Sequence, residues 1–180
     1  REEGLEYKGT VEPKHLLWVI AEDLGIEFLE SKIVRKLDGL KLAPFYGCYI
    51  VRPSKALGLK ENPGRKEALE AVIEAVGGEV VDFPGKTLCC GFPILTINPT
   101  NSVNMVANHT IDAKDRGADA MVTPCPLCHL NLDGYQPNAS SLRKRDIDLP
   151  IIHLPQLVGL SLGIKPEKMR LNKHIVSTKK

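Results

Sequence analysis

Five cysteines constrain this chain more than any other feature: Cys48, the vicinal pair Cys89-Cys90, and the pair Cys125-x-x-Cys128. Forty residues separate the first group from the second and thirty-four the second from the third, with no cysteine outside that pattern. An odd count cannot close into a full set of internal disulfides. Vicinal cysteines seldom bridge each other, because the small ring strains the peptide between them. A C-x-x-C pair at i, i+3 points two sulfurs at one centre, the spacing used for zinc, iron–sulfur clusters and redox dithiols. The bland alternative is five buried structural thiols, since free cysteine packs as a small hydrophobe. Burial alone, however, requires neither a vicinal pair nor a C-x-x-C pair, so three distant segments are expected to meet at one point.

Length and composition bound the rest. A chain of 180 residues argues for one domain over 1–180, with a linker-like start over 1–10 and a basic tail over 165–180. With 43% hydrophobic and 26% charged residues it has a core and a soluble surface, which excludes a disordered chain. Aromatic residues are 5%, so Leu, Ile, Val and Ala must build the core. A formal charge of +2 lacks the electrostatic footprint of a nucleic-acid binder or a membrane-surface protein. The longest apolar runs, Leu16–Ala21 and Leu157–Ile164, fall far short of the roughly 20 residues a membrane span needs. Nothing reads as a secretory signal, so the cytoplasm is the expected compartment. The first residue is Arg1 rather than Met, which reads as a trimmed chain or an excised piece.

Hydrophobic periodicity and breakers predict alternating strands and helices. Pro13 to about Gly25 reads as an amphipathic helix with Leu16, Leu17, Ile20 and Leu24 on one face. Leu40–Tyr49 reads as a buried strand with Cys48 at its C-terminal end. Asn62-Pro63 opens a helix to about Ala75, stopped by Gly77-Gly78. Glu79–Asp82 is a short strand, and Pro84-Gly85 turns the chain into the vicinal cysteines. Asn98–Thr100 starts a helix over about 102–116, and Asp119–Thr123 is a strand delivering Cys125. A helix runs from about Pro126 to Tyr135, and residues 136–148 read as an exposed polar loop. Leu149–His153 is a last strand, followed by a helix to about Leu162. Such alternation predicts an α/β fold: a small parallel sheet flanked by helices, with the five cysteines gathered at the C-terminal edge of the strands.

Ligand count alone leaves the metal open. One zinc takes four ligands, and an ordinary cubane cluster takes four thiolates, so the fifth thiol is surplus to either. Five coordinating thiolates require an unusual cluster.

The run Thr87-Leu88-Cys89-Cys90-Gly91, followed by Thr123-Pro124-Cys125-Pro126-Leu127-Cys128-His129-Leu130-Asn131-Leu132, resembles the cysteine-rich CCG domain family. More closely, it resembles the second, C-terminal CCG module of the heterodisulfide reductase B subunit. Ala43-Pro44-Phe45-Tyr46-Gly47-Cys48-Tyr49 and His153-Leu154-Pro155-Gln156-Leu157 match that protein as well, and the likeness spans about residues 10–164. The resemblance implies a noncubane 4Fe-4S cluster held by Cys48, Cys89, Cys90, Cys125 and Cys128. Where that protein carries two modules, five cysteines hold one cluster, which points to a fragment or a shortened homologue.

Around these ligands Lys86 and Thr87 are candidates to hydrogen-bond cluster sulfurs, and Gly91 to let the backbone approach closely. Pro124 and Pro126 stiffen the ligand loop. His153, at a strand end, is the candidate for handling protons. His129 reads as a surface residue and His109 as part of a solvated helix face. The implied function is an iron–sulfur redox subunit acting on a disulfide or related sulfur substrate. Its electrons come from flavin and iron–sulfur partner subunits, since no G-x-G-x-x-G or P-loop is present. The alternatives are an electron-transfer subunit of a lactate/glycolate or succinate/fumarate complex, a structural zinc module, and, weakest, a dithiol oxidoreductase using Cys125 and Cys128.

Overall fold

The computed structural model of the chain describes residues 4, 6 and 8–178. Strands β1 (Lys41–Pro44), β2 (Glu79–Val80), β3 (Ala120–Thr123) and β4 (Ile151–His153) form one parallel sheet in the order β2-β1-β3-β4. Around it lie α1 (Leu16–Trp18), α2 (Ile26–Lys32), α3 (Ala68–Ala75), α4 (Pro99–Asp115), α5 (Pro126–Gly134), α6 (Gln136–Arg143) and α7 (Leu154–Ser161). The chain therefore has the expected α/β class.

Side chains on successive strand residues point to opposite faces, and both faces here are covered. Leu42, Tyr46, Ala120, Val122 and Ile152 pack with Leu69, Val72 and Ile73 of α3, with Leu17 and Trp18 of α1, and with Leu157 of α7. Ala43, Phe45, Met121 and Ile151 pack instead with Val106 and Ala107 of α4, Leu132 of α5 and Ala139 of α6. Each fully buried Leu, Ile or Val contributes about 1.5–3 kcal/mol, so this double layer is the main source of stability.

The strands are shorter than expected because the chain changes hydrogen-bond partner. Phe45 N–H still donates to Val122 O at 2.7 Å, but Tyr46 and Gly47 N–H turn to Lys86 O at 2.7 and 3.3 Å. Gly47 takes a φ of +72°, which ends the extended run before Cys48.

Four expectations are corrected. Residues 136–148 are not a loop: Gln136–Arg143 is helix α6, and Ala139 and Ile147 are buried. Gln136 fooled the pattern because a polar side chain is buried there, its amide donating to Leu132 O and Leu149 O while its oxygen accepts Leu149 N–H. The segment after α7 is no exposed tail either. Leu171 and Val176 are buried, and the Asp133 carboxylate accepts N–H from Ile175 and Val176; Lys179 and Lys180 lie outside the described residues, as does half of the 1–10 start. The first helical stretch begins at Leu16, capped by His15, whose Nδ1 accepts Leu17 N–H at 3.1 Å. It continues through a π-helical stretch (Val19–Gly25) into α2. The wider winding shifts the register, so Leu17, Trp18 and Ile20 are buried while Leu16 and Leu24 are exposed. Finally, Asn62 makes no side-chain cap: its amide donates to Gly58 O, and a 3-10 turn (Pro63–Lys66) precedes α3.

Candidate metal centre

Three stretches carry the thiols, and the chain ties each to the next. Cys48 follows Gly47 directly, and the carbonyl of Lys86 holds that turn against the segment leading to the vicinal pair. A Cβ on Gly47 would fall 2.7 Å from the Cys128 Sγ, so only glycine permits this approach. The vicinal loop follows a 3-10 turn (Pro84–Thr87) and ends at Gly91, whose φ is +95°. His109 Nε2 lies 2.9 Å from Cys89 O, and Asn131 Nδ2 lies 2.8 Å from Cys90 O. Cys125 sits at the N-cap of α5, with its own N–H on Thr123 Oγ1, and Cys128 is in the first turn.

The pull of the thiols on one another's protons sorts them into two neighbouring groups. Cys48 pairs with Cys89, while Cys128 is bracketed by Cys90 and Cys125. The Cys125 thiol falls to about 6, first because Cys128 donates to it and then because the Leu127 and Cys128 amides of the helix N-terminus face it. Cys90 is lowered, again chiefly by donation from Cys128. Cys128 is pushed up, because it is the donor to both neighbours and is buried. Cys48 is raised by burial and by Cys89. Without a metal the Cys128 and Cys48 thiols are held more firmly protonated than a free cysteine, and ligation as thiolates would release those protons.

Cys48, Cys90, Cys125 and Cys128 line a single cavity of about 300 Å³, walled otherwise by residues such as Trp18, Tyr46, Ile50, Phe92 and Leu127. The lining includes His15 but no Lys, Arg, Asp or Glu. Among the described residues no group of three or more His, Cys, Asp or Glu side chains is arranged to hold a single metal ion. The thiols surround a space instead of closing on a point. A larger cavity, about 740 Å³, lies elsewhere between the 35–40 segment, α7 and the C-terminal segment, and no cysteine lines it.

The other candidates fall in varied places. Lys86 spends its ammonium on Glu70 (3.0 Å) and Asp82 (2.6 Å), and reaches the cysteine turn through its carbonyl. The Thr87 carbonyl accepts from Arg52 Nη1 at 2.6 Å. Gly91 is pressed on α4: a Cβ there would meet Ser102 O and Oγ at 2.9 Å. His153 is half-buried with Nε2 3.4 Å from Pro124 O, behind the Cys125 turn, and burial lowers its pKa. It is not among the residues lining the thiol cavity.

Two histidines read as solvent-facing are not. His109 is buried, its ring against Phe45, because α4 turns it inward to meet the Cys89 carbonyl. His129 packs between His153 and His174, with Nε2 buried and unpartnered. Gly47 and Asn131 also went unread as site residues; the glycine directly before Cys48 and the asparagine three residues after Cys128 were the available signals.

Residues 42–133 match the family model of the cysteine-rich domain, CCG. The chain belongs to the cysteine-rich CCG domain family. Among curated relatives, this CCG domain is 38% identical over 177 residues to an 8-methylmenaquinol:fumarate reductase membrane anchor subunit of Wolinella succinogenes, covering 98% of this chain and 61% of that one. It is 34% identical over 181 residues to the B subunit of a ferredoxin/F(420)H(2)-dependent CoB-CoM heterodisulfide reductase of Methanosarcina acetivorans, covering 98% and 59%. The CCG chain thus spans about three-fifths of the length of these relatives. A crystal structure of a hypothetical protein from Helicobacter pylori shares the fold, with a TM-score of 0.65 at 16% identity over 86% of this chain and 28% of that one.

Proposed function

We propose that this domain is an iron–sulfur redox subunit of a heterodisulfide reductase-like complex, with Cys48, Cys89, Cys90, Cys125 and Cys128 holding one noncubane 4Fe-4S cluster. The observation that carries the reading is the shared cavity: four thiols wall it, and the fifth, Cys89, neighbours Cys48. An all-thiolate donor set lining one shared cavity fits an iron–sulfur cluster better than one tetrahedral ion. The reading takes the thiols as gathered past the C-terminal ends of the strands, where open parallel sheets carry their sites. Likeness to subunits of two reductase complexes supports it.

When bound, such a cluster supplies one-electron chemistry towards a disulfide or related sulfur substrate. The protein's part is to set sulfur positions and exclude water. Gly47 lets the Cys48 turn reach Cys128, the N-terminus of α5 favours thiolate at Cys125, and the apolar wall lowers the local dielectric. His153 would hold a proton behind the Cys125 turn, while Lys86, Thr87 and Gly91 fix the vicinal loop through the backbone contacts described above. Electrons would come from flavin and iron–sulfur partner subunits.

One observation favours a second reading, electron transfer within a fumarate-type complex. The cavity offers no Lys or Arg to an anionic thiol, and the 38%-identical relative is named a fumarate reductase subunit. Among the described residues no helix is long and apolar enough to cross a membrane. Iron, zinc and acid-labile sulfide content on protein purified without oxygen, with EPR of both redox states, tests the cofactor. About four iron and four sulfide per chain are expected. About one zinc without sulfide, resistant to reconstitution, would replace it with a zinc module. Disulfide reduction with an artificial donor separates the two redox readings.

A further inference from the structure

We infer that His109 and Asn131 are positioning residues for the vicinal cysteines, gripping the loop by its two carbonyls without touching either sulfur. This deepens the cofactor reading above, on which only its metal-side consequence rests. Neither residue lines the thiol cavity, and a reading from cysteine spacing passes over both.

The vicinal loop belongs to no helix or strand, so its carbonyls have no ladder to satisfy them. Two different helices supply the donors. His109 comes from the middle of α4; its Nε2 faces a carbonyl, so that nitrogen carries the hydrogen and donates to Cys89 O at 2.9 Å. Its ring is set by Phe45, 5.1 Å between centroids, and by Gly85, where a Cβ would fall 2.6 Å from Nδ1. Asn131 comes from α5 and is 0% exposed; its amide donates to Cys90 O at 2.8 Å and to Ser102 Oγ at 3.3 Å.

The unsatisfied atom of Asn131 is the telling one. Its Oδ1 is buried with no partner, yet turning the amide over would put oxygen against the Cys90 carbonyl. A buried unpaired acceptor is unfavourable, and an apolar residue of this size would avoid it. What Asn131 provides in exchange is the donor at Cys90. Because α5 also carries Cys128, that bond ties the vicinal pair to the C-x-x-C pair as one body. Gly91 completes the grip: its N–H points at Cys89 Sγ at 3.4 Å while its Cα face presses on Ser102. Sulfur positions held this way exist before any cofactor arrives.

The test uses the full chain, stripped of metal by chelator and kept reduced without oxygen. Iodoacetamide labelling is followed thiol by thiol. His109→Phe and Asn131→Leu should each speed alkylation of Cys90 roughly five- to tenfold, the loss of about one hydrogen bond, with Cys125 unchanged. His109→Gln, which restores a donor, should return the rate towards wild type. Unchanged Cys90 labelling, or an equal rise at every thiol, overturns the inference. If Asn131→Leu does not fold, His109→Phe against His109→Gln decides, and equal rates in that pair overturn it. After reconstitution with iron and sulfide, the Phe and Leu variants should also shift the EPR spectrum and the reduction potential. A wild-type chain that takes up no iron would sink the cofactor reading, while the labelling contrast would still decide the positioning role by itself.

Discussion

Gly47 and Cys128 lie so close that a Cβ built on the glycine would fall 2.7 Å from the cysteine Sγ. These two residues belong to different β-α units, and their contact sets how near the Cys48 turn comes to α5. Gly47→Ala meets both this clash and a φ of +72°. It should lower stability by about 1–3 kcal/mol and sharply reduce metal uptake. Urea unfolding and iron content check both, and wild-type loading in the variant would show that the approach is dispensable.

Cys90→Ser removes the thiol that, with Cys125, brackets Cys128. The variant should lose the wild-type EPR signal or show a different one. A spectrum superimposable on wild type would remove Cys90 from the ligand set.

Asp133 is buried and accepts N–H from Ile175 at 2.8 Å and Val176 at 3.0 Å. Asp133→Ala should cost about 1.5–3 kcal/mol, the range for a bond to a charged group. Hydrogen exchange at the Ile175 and Val176 amides should accelerate well beyond exchange in β3. Protection equal to wild type would mean that Leu171 and Val176 burial alone holds the segment.

Acid stability carries a signature of Glu22. Arg65, and secondarily Lys14, hold its carboxyl down to about 2, and Arg65 also stacks over Trp18 at 5.2 Å. A depressed pKa means that the ion pair contributes above the unfolded value near 4.5 and is lost as pH falls through about 2. The carboxylate is partly exposed, so its worth is about 0.5 kcal/mol. Glu22→Gln should therefore be less stable than wild type at pH 7 and equal to it near pH 2. A difference independent of pH would show that the charge is not the cause.

The sheet was legible because strands buried on both faces read as apolar runs, and α4 because Asn98 caps it, its Oδ1 accepting Asn101 N–H. The cysteine groups were legible from spacing alone. What escaped shares one cause: a polar residue whose partner lies far away in the chain. Gln136 answers to Leu149, His109 to Cys89, Asn131 to Cys90 and Asp133 to Ile175. Each reads as solvent-facing until the distant backbone group is in place. The π-helical stretch escaped for a different reason, since a 3.6-residue period describes only ordinary helical winding.

The order β2-β1-β3-β4 has a consequence for how the protein is made. During synthesis β1 emerges well before β3, its neighbour in the finished sheet, so Cys48, Cys89 and Cys90 leave the ribosome before Cys125 and Cys128 exist to meet them. For that interval three thiols wait without their eventual companions, open to oxidants and stray metals. On the five-thiol reading proposed above, cofactor insertion would follow closure of the sheet, and the yield of loaded protein would depend on those early thiols staying reduced until then.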